Sequence, residues 1–112
     1  MKKKFWFIAS VREKTAYRKD GSSYNYHDSR CWGFFEDKEK AIKAVEENWT
    51  DMNEAGYYPY VVIESATEGL LTVANNPEDT IWFKAIYKDK KFIKYEITEQ
   101  PEFAKGFVGW TI

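Results

Sequence analysis

One segment of this chain can bury its apolar side chains only as a helix laid against a partner layer. Ala41, Ile42, Ala44, Val45, Trp49 and Met52 recur at helical spacing, while Lys40, Lys43, Glu46 and Glu47 fall on or near the other side. Asp37 precedes the run and can accept from free N–H groups of the first turn; Glu39 suits the dipole there. Gly56 is a stop signal. The spacing predicts a helix from Lys38 to Ala55 whose stripe packs on a sheet.

The remaining pattern is strand-like. Phe5, Phe7, Ala9 and Val11 alternate with Trp6, Ile8 and Ser10, giving a first strand, and Arg30 to Phe35 returns as a second. Between them lies a long polar insert over 13–29, with an Asp20-Gly21 turn signal that suggests a loose hairpin. Tyr60 to Ser65 is β-branched and reads as a central strand. Glu68 to Thr80 reads as a loop marked by Asn75-Asn76-Pro77, and residues 81–97 read as a hairpin turning at Asp89-Lys90. Pro101 breaks the chain, and Phe107 to Ile112 reads as a short strand or arm. The expected fold is a single α+β domain over 1–112. It is a two-layer sandwich in the order ββαβββ, with a mostly antiparallel sheet of five to six strands and one amphipathic helix.

Charge and cysteine content narrow the functional classes. The 17 basic and 18 acidic residues give a net charge of −1, which does not steer a whole protein onto bulk nucleic acid or an anionic membrane. The single cysteine, Cys31, excludes an internal disulfide framework and fits a cytoplasmic setting. The basic start and short apolar run at Lys2–Val11 lack a cleavage site, and no run approaches the roughly 20 apolar residues of a membrane span.

Catalytic groups are sparse. His27 and Cys31 are the sole representatives of their types and flank a loop-to-strand junction, so neither a nucleophilic pair nor a structural zinc site is expected. Glu46, Glu47 and Asp51 read as a solvated helix face. No cofactor motif is present.

The binding signal is stronger. All three arginines, Arg12, Arg18 and Arg30, fall between positions 12 and 30, together with Tyr17, Tyr24, Tyr26 and His27, and Trp32 follows. Guanidinium groups grip phosphate or carboxylate in two places and stack on rings, and tyrosines offer a base both a flat face and a hydroxyl. These eight residues form the expected ligand site for a nucleotide or another planar anion. Twenty-one aromatic residues, 19% of the chain, exceed what a core of this size hides, which favours a ligand surface or a homo-oligomer.

The run Cys31-Trp-Gly-Phe-Phe-Glu-Asp37, the Glu/Lys/Ala-rich helix ending in Glu47-Asn-Trp-Thr-Asp51, and Gly56-Tyr-Tyr-Pro-Tyr-Val-Val-Ile-Glu64 are similar to a family of small proteins from Gram-positive bacteria and their phages. Pro101-Glu-Phe103 and Gly106-Phe107 belong to the same likeness, and the insert at 13–29 is longer than in that family. The resemblance implies a phage or mobile-element context and carries over no catalytic residues. Together these features lead to the expectation of a small non-enzymatic binding protein that sequesters a nucleotide-type immune signal to block antiviral defence. A protein–protein inhibitor using exposed aromatics is the alternative, and a small nucleotide hydrolase using His27 is the third.

Overall fold

In the computed structural model, which describes residues 3–67, 79–89 and 92–105, five antiparallel strands form one sheet in the spatial order β2-β1-β3-β4-β5. Along the chain these are β1 (Lys4–Tyr17), β2 (Ser23–Phe35), β3 (Tyr60–Thr67), β4 (Ile81–Asp89) and β5 (Phe92–Thr98), with α1 (Lys38–Glu46) between β2 and β3. The β-branched segment at Tyr60 is the middle strand of the five. The expected arm at 107–112 and most of the expected loop at 68–80 lie outside the described residues, as does the turn between β4 and β5.

Alternation along β1 serves two faces. Trp6 and Ile8 join Val61, Ile63, Phe83, Ala85 and Tyr95 beneath α1, which contributes Ala41, Ala44 and Val45. Ala9 and Val11 join Val62 and Trp82 on the opposite face, capped by Ala104 and Phe103 of a 3-10 turn over Glu102–Ala104. Asp37 caps α1 as its position indicates, accepting from Glu39 N at 2.9 Å. Each fully buried aliphatic side chain in these clusters contributes about 2 kcal/mol of burial.

Two sequence expectations require correction. The polar insert at 13–29 forms the expected hairpin with its turn at Asp20-Gly21, but a regular one and not a loose one, because β1 and β2 pair without a break from Val11↔Ser29 to Tyr17↔Ser23. Only residues 18–22 turn: Arg18 N donates to Ser22 O at 2.8 Å, Asp20 Oδ1 accepts from Ser22 N at 2.9 Å, and Gly21 takes φ +89°. Polar alternation sustains a strand when both faces project beyond the core, and the polarity of the insert concealed its regularity.

The helix is also shorter than its stripe. It ends at Glu46, and Asn48 adopts a left-handed conformation (φ 51°, ψ 50°) that asparagine tolerates at helix ends. A 3-10 turn over Trp49–Asp51 follows, and Thr50, Asp51, Glu54, Ala55 and Gly56 all have positive φ. Met52 is nevertheless buried in the helix-side core and Trp49 packs against it. The stripe reached the core through a turn and not through two more helical turns.

Asn53 organises that turn. It is fully buried, and its Nδ2 donates to Tyr58 O at 2.8 Å and to the Tyr95 hydroxyl at 3.1 Å. Its Oδ1 accepts from Gly56 N, while its own N–H donates to Asn48 Oδ1 at 3.1 Å. Tyr95 in turn donates to Tyr58 O at 2.7 Å. Burial raises the Tyr95 phenol well above its ordinary range, which keeps it a donor.

Candidate binding face on the long hairpin

Because directly paired residues in an antiparallel ladder share a face, the register assigns every hairpin side chain to one side. Ser10↔Arg30, Arg12↔Asp28, Lys14↔Tyr26 and Ala16↔Tyr24 lie on the side that carries α1. Val11↔Ser29, Glu13↔His27, Thr15↔Asn25 and Tyr17↔Ser23 lie on the other. Of the eight residues singled out in the sequence, Arg12, Tyr24, Tyr26, Arg30 and Trp32 are therefore brought to one face, and Arg18 joins them at the tip.

Tyr17 and His27 do not join them. Tyr17 is 78% exposed on the far side. The His27 ring packs 5.3 Å from the Phe103 ring, and its Nε2 lies 3.8 Å from a Glu13 carboxylate oxygen. A window of sequence groups residues by position, whereas a strand sends neighbours to opposite sides; parity along the strand is the signal that separates them. His27 and Cys31 share a face but stand four strand residues apart, about 13 Å, which is beyond hydrogen-bond reach. Cys31 is exposed.

Stacked cation–ring pairs mark the α1-side face. The Arg30 guanidinium carbon lies 4.1 Å from the Trp32 ring centroid, Arg12 lies 4.4 Å from that of Tyr57, and Arg18 lies 4.6 Å from that of Tyr24. The Lys14 ammonium also sits over Tyr57, at 4.7 Å. The Tyr24 and Tyr26 rings are 6.1 Å apart, and both are more than 40% exposed. Cationic positions thus recur along the face at steps of two strand residues, about 6.6 Å.

Two carboxylates moderate this charge. Tyr57, outside the eight residues that the sequence groups together, donates to Asp28 Oδ2 at 2.8 Å, and Lys14 Nζ lies 3.4 Å from the same oxygen. The Tyr57 hydroxyl, followed by Lys14, holds the Asp28 carboxyl below its usual range; the same phenol, with Asp28, holds the Lys14 ammonium above its own. Glu54 engages Arg30 Nη1 at 2.5 Å, with the Arg30 side chain still 56% exposed. Arg12, Arg18, Lys14 and Arg30 outnumber Asp28 and Glu54, so the face is net positive although the chain as a whole is balanced.

The face begins at a bulge. Ile8 pairs with Gly33 but Ala9 pairs with Cys31, which leaves Trp32 as the extra residue of β2, and Gly33 beside it takes φ +143°, which a side chain disfavours. Trp32 Nε1 donates to Ser10 Oγ at 2.7 Å, and that buried hydroxyl donates to Met52 O, fixing the indole against the turn. Past the bulge, a cavity of about 190 Å³ lies among Ile8, Trp32, Phe35, Trp49, Thr50 and Met52.

On the far side of the edge strand β2, Phe34 is 57% exposed and packs on Phe5 and Phe7 at 5.4 and 5.3 Å. Among the described residues, no group of three His, Cys, Asp or Glu side chains is placed to hold a metal ion. No described helix is long and apolar enough to cross a membrane. Comparison with protein-family models, with curated proteins and with solved structures gave no match.

Proposed function

We propose that this chain is a small non-enzymatic binding protein that holds a nucleotide-type, planar anionic ligand on the α1-side face of its β1–β2 hairpin. The observation that carries the reading is the strand parity that gathers Arg12, Lys14, Tyr24, Tyr26, Arg30 and Trp32 on one surface. Rings stack on bases and fixed guanidinium groups receive phosphate, so such a surface suits a ligand with both. The stacking partners Trp32, Tyr24 and Tyr57 hold the cations in place before any ligand arrives, which limits the ordering cost of binding.

The family resemblance of residues 31–64 supports a phage or mobile-element origin and a host cytoplasm as the place of action. There the protein would sequester a signalling nucleotide of antiviral defence. In this reading the sheet and α1 are the two layers of an α+β sandwich, and copies associate through the β2 edge. Titration calorimetry with cyclic dinucleotides, cyclic trinucleotides and ADP-ribose derivatives at about 100 μM protein tests it, since micromolar ligands give clear heat at that concentration. Saturable heat with at least one, lost in Arg30→Ala, supports the reading; no heat with any removes it.

A second reading is favoured by a separate observation. Phe34, exposed over Phe5 and Phe7 on an edge strand, is the kind of aromatic patch that anchors a protein partner. A protein–protein inhibitor or adaptor would lose its partner in Phe34→Ser and keep it in Arg30→Ala. The nucleotide reading requires the reverse.

A further inference from the structure

We propose that the cavity between the β2 bulge, α1 and the turn after α1 is a binding site for an uncharged planar molecule of one or two fused rings. This site is distinct from the anion-binding face and shares only Trp32 with it.

Size and chemistry select the occupant. Enclosed apolar cavities of about 150 Å³ accommodate benzene, so 190 Å³ matches the volume of one ring or a fused pair. No lining side chain is charged. Trp32 gives its N–H to Ser10, and Trp49 gives its own to Glu47 at 3.2 Å, so both indoles offer the cavity carbon surface and no free donor. The Phe35 and Trp49 rings stand edge to face at 6.3 Å, and a flat guest packs well against walls of that kind. Arg30 and Lys40 stack on the lining rings Trp32 and Phe35, but no lining side chain is itself charged, so an anionic guest seated inside loses hydration without an ion pair in the lining.

The backbone supplies an independent pointer. Thr50, in the lining, sits at φ +59°, a conformation that a β-branched residue adopts at a penalty. Its hydroxyl makes no hydrogen bond among the described residues. The strain serves no visible packing purpose, because Thr50 is exposed, and Thr50 is the one lining residue that carries a hydroxyl. That arrangement suits a ring bearing a single polar atom on its edge, such as an indole N–H or a phenol.

Fluorine NMR with fluorobenzene, fluoroindole and fluorobenzoate as probes tests the site on the intact chain. The two neutral probes should bind saturably, and fluorobenzoate at least about tenfold more weakly. Ala44 of α1 also lines the cavity, and Ala44→Leu, which fills it, should abolish binding of both neutral probes. Thr50→Val should weaken fluoroindole by about fivefold and leave fluorobenzene unchanged, because only the former can use the hydroxyl. Tyr24→Ala, on the anion-binding face, should change none of these values, so failure here stays separable from failure of the nucleotide reading. Equal binding of the charged probe, or undiminished fluorobenzene binding in folded Ala44→Leu, overturns the proposal. If Ala44→Leu does not fold, the charge comparison on the native chain and the Thr50→Val pair decide it.

Discussion

Asn53 donates to the Tyr95 hydroxyl at 3.1 Å, joining the left-handed turn after α1 to β5, the outermost of the described strands on that side. The pair lies within a buried network that also holds Tyr58 O and Gly56 N, and satisfied buried networks are costly to open. Replacing Asn53 by Ala leaves several of these groups without partners. The expected loss is about 2–3 kcal/mol, with a thermal midpoint lower by roughly 8–15 °C. Urea and thermal melts of Asn53→Ala check this; a change below about 0.5 kcal/mol would show that the network contributes little.

The strained backbone allows the opposite result. Glycine accepts φ +59° without the penalty that threonine incurs, although it loses more chain entropy on folding. Thr50→Gly should therefore raise stability by about 0.5–1 kcal/mol, read from the urea midpoint at constant slope. A destabilised variant would mean that the threonine side chain packs favourably enough to offset its conformation.

Acid should loosen the hairpin at Asp28. Its carboxyl titrates lower in the folded chain than its ordinary value of 3.8, chiefly through the Tyr57 hydroxyl and then through Lys14. A depressed folded value gives stability that is complete above 3.8 and fades as pH falls through the folded value, so the window lies below about pH 4. Tyr57→Phe should move the Asp28 carboxyl carbon titration upward toward 3.8 and flatten the acid dependence of stability in that window. An unchanged titration would place the control elsewhere. Because Asp28 is only partly shielded from solvent, the effect on stability is modest.

Ligand binding at the hairpin should depend on salt and on the stacked arginines. Arg30→Ala and Arg12→Ala should each weaken a nucleotide ligand by about tenfold or more, through the lost charge-assisted contacts. The native affinity should fall as sodium chloride rises, since Arg18 and Arg30 are exposed and screened. Tyr17→Ala, on the far side, should leave affinity unchanged. Calorimetry of these variants at two salt concentrations measures all three effects, and a large loss in Tyr17→Ala would mean that the ligand grips both faces.

Much of the architecture was legible before any coordinates. Asp37 marked the start of α1, the Val61–Ile63 run marked the middle strand, and the alternation at 81–97 marked the terminal hairpin. The helix end was not legible, because Trp49 and Met52 continue the apolar spacing while the backbone has already turned left-handed at Asn48. An apolar period reports which side chains are buried, and a turn can bury them as well as a helix can. The site was legible in composition only. The arginine–tyrosine window gathered cations and rings, but parity along β1 and β2 moved Tyr17 and His27 off the shared face and brought in Lys14, together with Tyr57 from a segment well downstream. Contacts between segments so distant in sequence leave no local mark.

Neither core cluster draws a fully buried residue from positions 12–40, so the outer arms of the hairpin extend past the part of the molecule that keeps it folded. Substitutions at Lys14, Tyr24, Tyr26 and the tip can then change the chemistry of that surface at little expense to folding. Sequence drift is therefore tolerated there more readily than in the other three strands and their helix, which serve as the chassis.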